Sequence, residues 1–180
     1  MSKREESQTV AFKKLDAARR QINAAIWLWF NGADIVSVHT LAAAAHRIIL
    51  DLSGTTETAP LPFDTANLPE GVTAKMFRKA QIFLEPAKDD PDKTINLNPV
   101  WTELYLFLVI SAYTEFAIDD DSYHPLMSAF ILRLGICRPE VFSRDALPNL
   151  DKRVEIERIK KLSKSEFLKE MFGNISPPPP

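Results

Sequence analysis

Three side chains in the segments IVSVHTLAAAAHRIIL (35–50) and NPVWTELYLF (98–107) have the chemistry to form a site: His39, His46 and Glu103. A neutral histidine can act as a base or as a metal ligand. A site joining His39 to Glu103, with His46 beside them, would therefore belong to an enzyme or a metal-dependent protein. The spacing argues against one shared metal ion. On a helix, residues seven apart share a face but are separated by a rise of about 10.5 Å. Zinc holds its nitrogens at about 2.0–2.1 Å, which an i, i+4 pair reaches easily and an i, i+7 pair does not. The favoured reading places both imidazoles at a helix–helix seam, hydrogen-bonded to a carboxylate or a carbonyl. His39 falls in the first turn of a predicted helix, where the positive end of the helix dipole favours the neutral ring. Glu103, one turn into another predicted helix, either interacts with that helix's dipole or has a buried polar role. The two meet if their helices bring their N-terminal ends together, and antiparallel packing would separate them.

Other polar clusters point less clearly to a site. Asp89, Asp90 and Asp92 lack the glycine and the distal glutamate of a calcium loop, so they read as a solvated acidic loop. Asp119 to Asp121 read as a turn between helices, and His124 as an exposed residue capping the next helix. The lone Cys137 rules out an internal disulfide and a cysteine zinc cage; late in an apolar helix, it reads as a small inert hydrophobe. There is no G-x-S-x-G, H-E-x-x-H, Walker or dinucleotide motif. No histidine follows an arginine by four to six residues, the spacing used by the helical HEPN ribonucleases. The motifs imply no cofactor and no metal.

Composition sets the frame that must position these groups. The 180 residues suit one domain of ordinary size. Hydrophobic residues at 46% and charged residues at 26% make it globular. A net charge of -2 gives no general pull toward nucleic acid or anionic membranes. The polar start MSKREESQTV has no secretory core. The greasy run 104–118 is shorter than the roughly 20 residues a bilayer span needs and contains Glu115. The expectation is a soluble, cytoplasmic protein.

Periodicity predicts a helix over about 8–30, with Leu15, Ala18, Ile22, Ala25, Ile26, Trp29 and Phe30 inward. A second runs over 37–52, capped by Ser37, with Leu41, Ala45, Ile48, Ile49 and Leu52 as its buried face and the histidines on the flank. A proline- and threonine-rich loop fills 53–72, and a third helix covers about 73–85. Asn98-Pro99 is a sharp helix start, opening a fourth, apolar on most sides, to about 118. A fifth spans about 123–136 and stops at Arg138-Pro139. A charged helix from about 149 to 162 precedes a short one capped by Ser163 or Ser165, and Pro177 to Pro180 form a polyproline tail. The predicted fold is all-α: a single domain over 1–176, an irregular bundle of about six or seven helices with the second and fourth central.

Two surfaces could meet partners. Trp27 and Leu28 point away from the buried stripe of the first helix, toward the side of Lys13, Arg20 and Gln21; either other segments cover them or they form a homo-oligomer or protein interface. The segment KRVEIERIKKLSK (152–164) could touch phosphates through residues such as Lys160 and Lys161, but it lacks the interleaved aromatics of a single-strand binder. A solvated helix face is the favoured reading there, and nucleic acid is a disfavoured partner.

Two stretches also carry a resemblance. Ser37, His39, Thr40, Leu41 and Ala42, then Asp90-Pro91, then Asn98-Pro99 and Thr102-Glu103 follow the order S-x-H-T-L-A, D-P, N-P-x-x-T-E. In this the chain resembles an uncharacterised family of bacterial α-helical proteins, over roughly its middle 70 residues. In that family a K-H-A precedes the D-P, where this chain has Glu85-Pro86-Ala87, so any role of that loop histidine is lost or changed. The resemblance implies a helical fold and brings no established activity. The leading functional expectation is a binding or protein-interaction module.

Overall fold

The structure, a computed structural model, describes residues 11–54, 92, 94–116, 124–142, 153–175 and 177–178. Regular structure among them is entirely helical: α1 (Lys14–Phe30), α2 (Ile35–Ser53), α3 (Pro99–Phe116), α4 (Pro125–Cys137), a 3-10 turn (Pro139–Val141), α5 (Arg153–Lys161) and α6 (Lys164–Phe172). The chain is an all-α multi-helix bundle. The predicted helix over 73–85, most of the 53–72 loop, and Asp89, Asp90 and Asp119 to Asp121 lie outside the described residues.

α1 starts later than the periodicity suggested. The Asp16 carboxylate accepts the Lys13 backbone N–H at 3.4 Å, and this fixes Lys14 as the first helical residue. Of its inward stripe, Ala18, Ile22, Ala25, Ile26, Trp29 and Phe30 are buried as predicted, and Leu15, at the start of the helix, is half-buried. The Asn31 and Ala33 N–H groups then bond back to the Trp27 and Leu28 carbonyls at 3.1 and 3.0 Å. Gly32 takes φ +67° to make that turn, a conformation that strains a residue bearing a Cβ. With only this short turn between them, α1 and α2 form an antiparallel pair.

α2 corrects two expectations. Its N-cap is Asp34, three residues before Ser37, and the Asp34 carboxylate accepts both the N–H and the hydroxyl of Ser37 at 2.9 and 3.1 Å. A carboxylate oxygen is as good a cap as a serine hydroxyl, so the helix gains its first half-turn. The second correction is rotational. The buried face holds Val38, His39, Ala42, Ala43, Ala45 and Ile49, whereas Leu41 and Ile48 are half-buried and Leu52 is 41% exposed. The larger side chains occupy the flank, and the alanines and His39 occupy the centre. Small residues win the central positions because α2 packs between α1 and α3, and Ala42 and Ala45 let it sit close.

α3 is buried without interruption from Leu104 to Ile110, as a helix that is apolar on most sides must be. Asn98 caps it through Oδ1, which accepts the Val100 N–H at 2.9 Å. Besides α2, α1 touches α3, α4 and α6, and α4 also carries α5 and α6. Helices as short as α5 and α6 gain little from propensity and depend on docking. Phe167 of α6 is fully buried, its ring parallel to that of Phe30 with centroids 6.1 Å apart; burying such a ring stabilises by about 1.5–3 kcal/mol. Arg133, buried in α4, donates to the Ile159 and Leu162 carbonyls at 2.7 and 2.6 Å. It thereby fills acceptors at the C-terminal end of α5 that would otherwise be orphaned.

By length and composition, α2 is also long and apolar enough to cross a membrane, yet only 33% of that stretch is buried in the fold.

Candidate functional site

Contacts between α2 and α3 show how the two candidate histidines are held. His39 Nδ1 lies 3.1 Å from the Thr102 hydroxyl, and His46 Nδ1 lies 3.1 Å from the Tyr105 hydroxyl. The partners advance in the same order along both helices, so α2 and α3 run in the same direction with their N-terminal ends together. An advance of seven residues on α2 matches only three on α3, so the helices cross at an angle and the long tyrosine bridges the difference. Tyr105 fills the space between the imidazoles. Its ring stacks on His39 at 4.8 Å between centroids with planes 21° apart, and it meets His46 edge-on at 5.5 Å and 82°.

His39 is fully buried and His46 partly so. Burial pushes both imidazoles down from 6.5 to about 4, because a charged ring is poorly solvated inside the protein. Both are neutral at pH 7. His39 Nε2 is buried and has no hydrogen-bond partner, so one nitrogen of that ring is anchored and the other is enclosed without a polar contact. The seam predicted from sequence is present. Its partners are hydroxyls rather than the carboxylate or carbonyl that was expected.

Glu103, one residue beyond Thr102, turns toward other elements. Its Oε1 accepts the Trp29 indole N–H at 3.2 Å and faces the Lys164 ammonium at 3.4 Å. Its Oε2 accepts from Arg138 Nε at 3.3 Å. The Lys164 ammonium also sits 3.9 Å from the centre of the Trp29 ring, a cation–π contact. Burial lowers the Lys164 pKa, and the Glu103 charge opposes that shift. One carboxylate thus clasps α1, the residue after α4, and the first turn of α6. Both of its oxygens are committed to these partners, none of which lies on α2. The parallel run of α2 and α3 therefore puts His39 and Glu103 at the same end of the bundle, and each is held by its own set of groups.

The remaining candidates fall elsewhere. Trp27 and Leu28 are half-buried and pack against the core. His124 caps α4 as expected, its Nδ1 accepting the Leu126 N–H at 3.2 Å, but it is half-buried rather than exposed. Cys137 is exposed at the end of α4, where the apolar pattern of that helix had suggested a buried thiol. Lys160 and Lys161 are exposed on α5, and Lys160 pairs with Glu157 at 3.0 Å. Among the described residues, no three His, Cys, Asp or Glu side chains gather as a metal site would require.

Several members of both clusters escaped the sequence reading, although signals existed. Lys164 puts a cation in the first turn of a helix, against the dipole, which marks a residue held by a tertiary partner. Arg133 is the lone charge in PLMSAFILRLGIC, and a buried charge needs acceptors. Thr102 and Tyr105 carried no such mark. The hydrogen bond between His39 and Thr102 also joins the stretch that begins at Ser37 to the stretch that begins at Asn98. No protein-family model, curated protein or solved structure matches the chain.

Proposed function

We propose that this chain is a cytoplasmic helical protein-interaction module and that α2 presents its partner-facing side. One observation carries the reading: α2 is apolar enough on average to cross a membrane, yet only a third of that stretch is buried in the fold, and two of its large apolar side chains are exposed. Leu52, 41% exposed, shares one flank of α2 with the half-buried Leu41 and Ile48, and Val36, 43% exposed, lies on the other, with Ser37, Thr40, Arg47 and Asp51 between them. Apolar area left in water is stabilised when an apolar surface covers it, by roughly 25 cal/mol per Å², and such faces mark association sites. The partner suited to this face is an apolar protein surface, and a second copy of this chain is always at hand.

The test combines light scattering with binding of a hydrophobic dye. The reading expects the purified chain to self-associate or to bind dye. Replacing Val36→Thr and Leu52→Gln together should weaken either signal while changing stability by no more than about 0.5 kcal/mol per site. A monomer that binds no dye would overturn the reading.

An enzyme or metal reading through His39 and Glu103 would require those groups to leave Thr102, Trp29, Arg138 and Lys164. Elemental analysis of the folded protein tests its metal form. A nucleic-acid reading would require salt-sensitive binding that falls when Lys160 and Lys161 are neutralised.

A further inference from the structure

We propose that the α2–α3 seam is an acid-operated hinge, at which protonation of His39 and His46 parts α2 from α3 while the rest of the bundle stays assembled. The geometry provides both halves of such a device. The sensing half is the pair of imidazoles bracketing Tyr105, each with Nδ1 already engaged by an α3 hydroxyl. Whichever tautomer is present, a second proton makes both ring nitrogens N–H donors, and on His39 the Nε2 atom is buried with no acceptor to receive its hydrogen. The resulting cation would lie in the seam unpaired, and a buried unpaired charge is among the most destabilising features a packed interface can carry. Stacking on the Tyr105 ring returns only part of that loss.

The holding half is the clasp. Glu103 ties α3 to Trp29 of α1, to Arg138 and to Lys164 of α6, and Arg133 ties α4 to the end of α5. Among the described residues, none of these bonds includes a residue of α2, whose main packing partners there are α1 and α3. The helix bearing both sensors is therefore the one these polar ties do not hold.

Ionisable and charged groups lie on each of the described helices that form the seam. On α2 they are Arg47 and Asp51, both exposed. On α3 they are Glu103, Tyr105, Tyr113 and Glu115. Those on α1 are Lys14, Asp16, Arg19 and Arg20, with Arg19 paired to Asp16. Burial is the cause of the downward shift of both imidazoles. Because the folded value is depressed, the opened state binds more protons between pH 6.5 and about 4. The seam is thus fully stable above pH 6.5 and loosens as the pH falls through that window. His39 and His46 line the inner side of α2, so the hinge is independent of the outer face proposed above for docking.

Amide hydrogen exchange on the full chain, corrected for the intrinsic pH dependence of exchange, tests this directly. Between pH 7.5 and 4.5, opening of residues 35–53 should rise by roughly 70-fold for each imidazole that is neutral when closed and ordinary when open. Residues 104–110 of α3 should keep their protection. In His39→Gln with His46→Gln the rise should vanish. His46→Gln alone, at the less buried position, should halve the logarithm of the rise and serves if the double variant does not fold. Unchanged α2 protection at pH 4.5 would overturn the proposal. So would an equal rise in the variants, or loss of α2 and α3 protection together.

Discussion

The His39–Tyr105–His46 seam and the Glu103 clasp lie at adjacent positions of α3, yet they bind the molecule by different physics. The seam is neutral and joins hydroxyls to imidazoles that burial keeps uncharged. The clasp is ionic, with Glu103 14% exposed and the side chains of Arg138 and Lys164 at 29% and 37%. Neighbouring residues on one helix can thus give one interface that answers to protons and another that answers to salt. Chemical type alone would have grouped His39 with Glu103. The 100° turn between consecutive helical residues separates them, with Thr102 facing α2 and Glu103 facing α1 and α6.

The largest effect should come from removing the piece that fills the seam. Tyr105→Ala deletes a side chain that is 1% exposed and should cost about 3–5 kcal/mol in urea denaturation. Tyr105→Phe removes only the hydroxyl and should cost about 1 kcal/mol. A loss below about 1 kcal/mol for Tyr105→Ala, far under the usual cost of such truncations, would show that the seam is not part of the core. Next is Ala42→Leu, which inserts bulk at a fully buried position of α2 and should cost about 1–3 kcal/mol by overpacking. Were it neutral, the alanines would not be setting how closely α2 sits.

Breaking the clasp should cost less. Glu103→Gln leaves Lys164 and Arg138 without their counter-charge, and the expected loss is about 1–2 kcal/mol given their partial exposure. The loss should shrink at about 1 M salt, where the screening length is about 3 Å, while the Tyr105→Ala loss should not. Equal salt responses in the two variants would erase the distinction drawn here. The smallest change belongs to Lys160→Gln, whose exposed pair with Glu157 should contribute no more than about 0.5 kcal/mol.

Much of the fold was legible because local chemistry and packing agree. Asn98-Pro99, Ser163 with Glu166, and Gly32 and Gly54 mark helix ends through caps and turns that depend on a few neighbouring residues. The unbroken apolar run of α3 announced a central helix. The rotation of α2 was not legible. Ala45 and Ile49 are buried as the periodicity predicts, but weighting by hydrophobicity set Leu41, Ile48 and Leu52 beside them, whereas close packing reserved those places for Ala42 and His39. The seam itself could be inferred from the i, i+7 histidines and the alanines between them. Its partners could not, because Thr102 and Tyr105 lie some 60 residues away. For the same reason, the clasp required knowing that α6 returns to the ends of α1 and α4.

The central claim is that the two histidines are interior packing elements and are uncharged at neutral pH. NMR titration of the histidine ring resonances on the intact, folded chain tests it most directly. His39 and His46 should show no titration through pH 6.5 and should take up protons only near pH 4. If either ring titrates near 6.5 while the bundle stays folded, that imidazole is in contact with water and the seam is not built as described.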